Sequence, residues 1–111
     1  MNSTLISEAF AETERASRYL VQLCQHVHLV AHANPHMQAQ VQWSGEHGVI
    51  DLGLGRCSLR ADADGLRLRA EAPDAESLRQ LEQRIAGRLE QIGRRDHLSV
   101  TWIPVTGGVN E

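Results

Sequence analysis

Four histidines lie close together in the sequence and are the first candidates for metal chemistry. They are His26, His28, His32 and His36, and Cys24 comes just before them. On a helix, His28 and His32 share one face at the four-residue spacing that lets two imidazoles hold one metal ion. The candidate ligands for iron or zinc are Cys24, His26, His28 and His32. The sequence has no CxxC or HExxH pattern, so the favoured alternative is that these side chains are solvated or structural and that no cofactor is required.

Arginines in a second segment, residues 56–71, are candidates for binding an anion. Apolar residues and arginines alternate on both sides of a turn at residues 62–65, which predicts a β-hairpin with an apolar face and an arginine face. This register places Arg60 directly opposite Arg67, with Arg69 on the same face. Like charges that face each other are unfavourable, and a carboxylate or phosphate bound between the guanidinium groups would remove that penalty. The alternative is a solvated surface screened by water or by two nearby carboxylates, Asp51 and Glu71.

Composition and motifs exclude several other classes of protein. The formal net charge is -3 and the pI is about 6.0, whereas proteins that bind nucleic acid are usually strongly basic. No apolar run approaches the roughly 20 residues of a membrane-spanning helix, and the first residues lack the basic start of a signal peptide. The sequence has no GxSxG motif and no P-loop, so an enzyme is not expected. We expect a cytoplasmic protein with no nucleic acid partner and no membrane partner.

Hydrophobic periodicity predicts the elements that position these residues. The expected order is a helix over about residues 13–30, strands over 37–43 and 49–52, the two hairpin strands, a helix from Asp74 to Gly93, and a strand over 98–102. This order, α-β-β-β-β-α-β, predicts an α+β two-layer sandwich in which two helices cover one face of a mostly antiparallel, four- to five-stranded sheet. A single domain is expected over residues 13–103, between a flexible N-terminus over 1–12 and a flexible tail over 104–111.

Two further expectations concern the surface and the interior of this sandwich. A row of glutamines, Gln38, Gln40 and Gln42, alternates with apolar residues along the first predicted strand. Such a polar row suits a homodimer contact at the edge or on the open face of a sheet. Cys24 on the first helix and Cys57 on a hairpin strand both face inward, so they are expected to be buried, unreactive thiols.

Three blocks of sequence resemble a small bacterial family known as domain of unknown function 2218 (DUF2218). The blocks are RASRYLVQLCQH (residues 15–26), GRCSLRADADGLRLRAEAPDAESLRQLE (residues 55–82) and LSVTW (residues 98–102). Together they cover about residues 13–102 in order. The resemblance carries over only Cys24 and His26, because family members tend to have a second histidine three residues after the first, often followed by lysine. This chain has Leu29 and Val30 at those places.

The family has no established activity, and some of its members are associated with, or fused to, siderophore-interacting flavin reductases. The resemblance therefore implies a context of iron or siderophore handling and a reductase as an expected partner. The first hypothesis is a small binding or accessory domain in that context, which contacts its ligand through the arginine face or through the region of Cys24 and His26. The second hypothesis is a protein-interaction module, in one form a homodimer, that binds no small ligand.

Overall fold

One antiparallel sheet and two helices make up the part of the chain that the structure describes. The structure is a computed structural model, and it describes residues 4–33 and 39–105. Its elements are β1 (Leu5–Glu12), α1 (Ala16–Ala33), β2 (Gln40–Trp43), β3 (His47–Asp51), β4 (Arg56–Ala61), β5 (Gly65–Ala72), α2 (Ala75–Ile92) and β6 (Trp102–Val105), with a short 3-10 turn (Arg94–Asp96) after α2. His36 and Gln38, which the sequence analysis considered, lie outside the described residues.

The described strands pair in the order β2-β3-β4-β5-β1-β6, and every pair is antiparallel. The first strand, β1, therefore lies inside the sheet between β5 and β6, while β2 and β6 form the two edges. Successive strands from β2 to β5 are neighbours, as expected for strands joined by short connections. Helix α1 carries the chain from the interior strand β1 to the β2 edge, and α2 carries it from β5 to the β6 edge.

Both helices pack against one face of the sheet, and no described helix covers the opposite face. Helix α1 contacts β2, β3, β4 and β5, and α2 contacts β5, β1 and β4. The buried residues of α1 are Ala16, Tyr19, Leu20, Leu23, Cys24 and Val27, and those of α2 are Leu81, Ile85 and Leu89. They meet the inward residues of the hairpin, which are Cys57, Leu59, Leu66, Leu68 and Ala70. Neither described helix is apolar enough along its length to cross a membrane.

The structure confirms the α+β class, the two helices and the antiparallel sheet, and it also confirms the hairpin register. Arg60 pairs with Arg67, as the position of the turn predicts. Asp74 caps α2, because its carboxylate accepts a hydrogen bond of 2.7 Å from the backbone N–H of Ser77. Gly93 follows the last residue of α2, and its backbone N–H bonds back into the final turn of the helix. These features depend on local sequence, which explains why periodicity and turn chemistry predict them.

The strand count and the order of elements need correction. The described sheet has six strands rather than four to five, and the described chain begins with β1 rather than with a helix. Leu5–Glu12, which the sequence analysis assigns to the N-terminal segment over residues 1–12, form β1. The residues of β1 that face the helices are small, namely Ser7, Ala9 and Ala11. The larger apolar residues Ile6 and Phe10 lie on the helix-free face, so the apolar alternation that usually marks a strand is inverted.

The last strand also differs from its predicted position. Periodicity predicts a strand over residues 98–102, but β6 begins at Trp102 and includes Pro104. Val100 is buried without belonging to a strand, and its backbone N–H donates to the Glu90 side chain of α2 at 2.9 Å. Pro104 is tolerated because β6 is an edge strand, which among the described strands pairs only with β1. The start of the predicted flexible tail therefore belongs to the sheet.

Candidate functional site

The arginine face carries its own counter-ions. Asp62, in the turn that joins β4 to β5, contacts both Arg60 and Arg67. Its carboxylate accepts hydrogen bonds from Arg60 Nε at 3.0 Å and from Arg67 Nε at 2.6 Å. Through these bonds Arg67 and Arg60 hold the pKa of Asp62 below its usual range. Asp62 therefore relieves the repulsion between the two arginines. From the sequence, this residue was predicted only to form part of the turn.

A second carboxylate balances the other arginines of this surface. Glu71 Oε2 lies 3.2 Å from Arg69 Nε, and Glu71 Oε1 lies 3.6 Å from a guanidinium nitrogen of Arg56. Glu71 is one of the two carboxylates expected to screen the face. The guanidinium of Arg67 also lies 5.0 Å from the centre of the Phe10 ring. The geometry therefore favours a screened, solvated surface over a bound anion at Arg60, Arg67 and Arg69.

The two cysteines lie in the core between α1 and the sheet, Cys24 on α1 and Cys57 on β4. Cys24 and Cys57 are free thiols with no exposed surface. Burial raises the pKa of Cys24 to about 11 and that of Cys57 to about 12. Both thiols are therefore protonated at neutral pH, whereas metal ligation and nucleophilic attack need the thiolate. Their placement is that of buried structural thiols, as the apolar stripe of the first helix predicts for Cys24 and the strand alternation predicts for Cys57.

The candidate histidines separate onto different faces of α1. The rings of His28 and His32 stack with their centroids 5.9 Å apart, so these two residues do share a helical face. His28 also meets Trp43 edge-on, at 5.8 Å between centroids. His26 lies toward α2, and Cys24 points into the core. Across residues 4–33 and 39–105, no three His, Cys, Asp or Glu side chains come together as a metal site requires.

A groove between the two helices combines apolar walls with positively charged side chains. On α1 its wall is formed by Leu23, His26, Val27 and Val30. On α2 its wall includes Arg84, Gly87, Arg88 and Gln91. Both sets follow the spacing i, i+3, i+4, i+7, which places each set along one face of its helix. We call this cavity, with a volume of about 270 Å³, the inter-helix groove.

Two arginines give the inter-helix groove a positive charge. Within the described ranges, neither Arg84 nor Arg88 takes part in an ion pair. Arg88 donates to the side-chain oxygen of Gln91 at 2.8 Å, a contact that leaves its charge uncompensated. Burial and the nearby charge of Arg88 both lower the pKa of His26 on the α1 wall. At neutral pH His26 is therefore an uncharged hydrogen-bonding group near the guanidinium of Arg88.

Of the groove residues named above, His26 alone was predicted from the sequence as a site residue. His26 was a candidate through its place in the histidine cluster and in the family resemblance. Arg84 and Arg88 have the positions of ordinary solvent-facing residues, because the apolar stripe of α2 lies on another side of the helix. One feature visible in the sequence could have indicated the groove, namely that its residues on α1 and on α2 follow the same i, i+3, i+4, i+7 spacing. The sequence gives no indication that these two stripes face each other.

A larger depression lies near the start of α1 and has mostly charged walls. Its volume is about 890 Å³, and its walls include Glu12, Glu14, Asp64 and Arg67. Asp96, after α2, also lines it and accepts hydrogen bonds from the Tyr19 hydroxyl and from Arg15. Tyr19 and Arg15 thereby hold the pKa of Asp96 below its usual range. This depression offers little apolar surface, so the inter-helix groove is the better candidate for a ligand site.

Comparison with known proteins identifies a family but no activity. The model of the family described as "Uncharacterized protein conserved in bacteria (DUF2218)" matches residues 8–103. The NMR structure of PA4090 from Pseudomonas aeruginosa is similar, with a TM-score of 0.68 and 28% sequence identity over 89% of this chain and 95% of that chain. Comparison with curated proteins gives no match. The matched range contains the three blocks of the resemblance and both walls of the inter-helix groove.

Proposed function

The chain belongs to the bacterial DUF2218 family, and we propose that it is a small binding domain that holds an organic anion in the inter-helix groove. One observation carries the proposal. The groove combines apolar walls with two guanidinium groups that have no carboxylate partner among residues 4–33 and 39–105. A ligand with an apolar body and an anionic group matches both features, because small-molecule sites are mostly apolar with a few well-placed polar groups.

Charge complementarity favours an anion over a neutral ligand. Arg84 and Arg88 lie one helical turn apart on α2, so one carboxylate, sulfonate or phosphate group can accept hydrogen bonds from both. On the sheet, by contrast, the arginines already form ion pairs with Asp62 and Glu71. An anion in the groove also favours the protonated form of His26. Binding is therefore expected to be accompanied by proton uptake near neutral pH.

The apolar wall and the volume limit the size of the ligand. Leu23, Val27 and Val30 supply aliphatic surface on the α1 side. The volume of about 270 Å³ lies close to the lower end of the roughly 300–1,000 Å³ that small-molecule sites occupy. This size suits a compact acid with one to three rings or a short chain. It does not suit a long-chain lipid, most of which would remain outside.

A dye titration tests the proposal. The probe is 8-anilinonaphthalene-1-sulfonate, whose fluorescence rises when its rings leave water and whose sulfonate supplies the anionic group. We expect saturable binding to the wild type and at least about tenfold weaker binding to Arg84→Gln/Arg88→Gln, equivalent to about 1.4 kcal/mol or more. The matched control is Arg60→Gln/Arg67→Gln, which removes the same charge from the sheet and is expected to bind as wild type does.

The same variants separate the two candidate anion sites. If Arg60→Gln/Arg67→Gln loses the dye and Arg84→Gln/Arg88→Gln retains it, the arginine face is the site and the proposal for the groove is wrong. Near-UV circular dichroism of each variant must match the wild type, because loosely folded proteins bind this dye without a specific site. Equal affinity in both variants and the wild type means that the bound dye does not use either arginine pair.

Iron or siderophore handling, a reductase partner and a cytoplasmic location stay predictions. The iron context has a direct test in the same assay, with one siderophore added in iron-loaded and in iron-free form as a competitor of the dye. Displacement by either form supports a role for the groove in siderophore handling. No displacement at the highest soluble concentration counts against that role, while the more general proposal of an anion site remains.

A second candidate function, a protein-interaction module, has support from the edge strand β2. Gln40 and Gln42 are exposed on its helix-free face, and β2 pairs with β3 on one side only among the described strands. Edge strands offer unpaired backbone groups to another chain. Sedimentation at low and high protein concentration tests the homodimeric form. A mass that rises with concentration supports it, and a monomer at both concentrations counts against it.

A further inference from the structure

Gly87 has no packing role among the described residues. It lies in the interior of α2, where glycine is less favourable than alanine. Apart from its two neighbours in the chain and the nearby backbone of α2, a Cβ atom placed on Gly87 would meet no described atom within 4 Å. At Gly48, in contrast, a Cβ would lie 2.9 Å from Cys24 Sγ, so close packing requires that glycine. The missing side chain of Gly87 therefore weakens α2 without allowing any contact within the described part of the protein.

The position of Gly87 suggests a reason for its missing side chain. It lies on the α2 stripe that lines the inter-helix groove, one turn after Arg84 and directly before Arg88. The helix backbone is exposed at this point. The groove is therefore wider beside the two guanidinium groups than it would be with any other residue at position 87.

We infer that Gly87 is a specificity-determining residue, and that the space it leaves admits anions whose charged group is attached to a ring. The inference rests on the function proposed above and narrows its ligand class. A flat ring needs a broad space, and it can lie against the bare backbone with a guanidinium plane beside it, since guanidinium groups stack on aromatic faces. An unbranched alkyl chain is narrower and does not need this room. The ligand is thus an aromatic or cyclic acid rather than an aliphatic one.

The test fills the space and compares two ligands that share one anionic group. Gly87→Leu introduces a strong helix former whose side chain extends into the groove, so the helix gains stability while the space is lost. Gly87→Ala is the matched control, because it improves helix propensity with little added volume. The probes are naphthalene-2-sulfonate and hexane-1-sulfonate. Each probe is titrated calorimetrically into the wild type and into both variants.

We expect Gly87→Leu to bind naphthalene-2-sulfonate at least about tenfold more weakly than the wild type, a change typical of one or two misplaced methylene groups in a pocket. Its affinity for hexane-1-sulfonate should change much less. Gly87→Ala should bind both probes nearly as the wild type does. Both variants should melt at or above the wild-type temperature, and Gly87→Met, with a flexible side chain, replaces Gly87→Leu if that variant does not fold.

Two sets of results overturn the inference in distinguishable ways. If Gly87→Leu binds both probes as the wild type does, or loses both equally, Gly87 does not select for a ring, while weak binding by Arg84→Gln/Arg88→Gln still supports the groove. If the wild type binds neither probe, the inference is wrong. If, in addition, the arginine substitutions do not weaken binding of the dye, the proposed function is wrong as well.

Discussion

Gly48→Ala is expected to destabilise the protein, because α1 lies close above β3 at this residue. A Cβ on Gly48 would be 2.9 Å from Cys24 Sγ and 3.3 Å from Leu20 Cδ2, whereas optimal contacts between carbon atoms are about 3.5–4.0 Å. Either the helix must move away from the sheet or the Cys24 side chain must leave its position. Because α1 also carries His26, a movement of this helix away from the sheet would change the α1 wall of the inter-helix groove.

Two opposing effects determine the change in the free energy of unfolding. An extra methyl group in a well-packed core costs roughly 1–3 kcal/mol. Replacing glycine by alanine in a strand returns about 0.5–1 kcal/mol, because the unfolded chain has less freedom to lose. With the middle value of each range, the net loss for Gly48→Ala is about 1 kcal/mol. For a domain of this size, that corresponds to a fall in Tm of roughly 2–8 °C.

Measuring Gly48→Ala in a Cys24→Ala variant tests whether the contact with Cys24 causes the loss of stability. With Sγ removed, the new methyl group has room, so adding Gly48→Ala to Cys24→Ala should cost little. The two changes should therefore be non-additive by about 1 kcal/mol. Urea unfolding, followed by the fluorescence of Trp43 and Trp102, measures each midpoint at constant slope. If Gly48→Ala costs the same in both backgrounds, or stabilises the wild type, close packing against Cys24 is not the reason for the glycine.

Three further predictions concern titration and metal. The pKa of His26 is lowered in the folded protein, so the unfolded chain binds this proton more readily and stability should fall as the pH drops through about 6.5. His26→Gln should flatten this part of the stability curve, and an unchanged curve would contradict the lowered pKa of His26. Cys24 and Cys57 should resist a thiol reagent at about pH 8 in the native protein and react in urea, whereas fast native labelling would contradict their raised pKa values. Exhaustive chelation should leave Tm unchanged, and a lower Tm would support the hypothesis of a metal site at the histidines.

The hairpin and the two helices were predictable because their information is local. Alternation over residues 56–71 determines which side chains share a face, and the turn determines the register that brings Arg60 opposite Arg67. In the same way, the cap residue Asp74 and the apolar stripe of α2 identify the start and the inward side of that helix. Each of these features needs only the neighbouring residues of the same segment, so sequence patterns suffice.

The strands β1 and β6 were missed or displaced because partners distant in the sequence determine them. The inward residues of β1 are small, since this strand lies beneath a helix and between two other strands. Ser7 and Ala9 are therefore buried without the large apolar side chains that mark a strand. Val100 is the opposite case. It lies in a segment with strand-like alternation and is buried, but it does not belong to the sheet. Burial and strand pairing are separate properties, and alternation reports only burial.

The candidate site could not be predicted, because it lies at the flanks of the two helices. Sequence periodicity assigns a helical residue to the inward or the outward side of its own helix, and it places Arg84, Gly87 and Arg88 outside the apolar stripe. Both α1 and α2 contact β4 and β5, so the two helices lie side by side over the middle of the sheet. That adjacency turns two flanks into the walls of one groove and leaves His26 beside Arg88. The strand order determines where the helices lie, and with β1 missing from the prediction neither the order nor the groove could be derived.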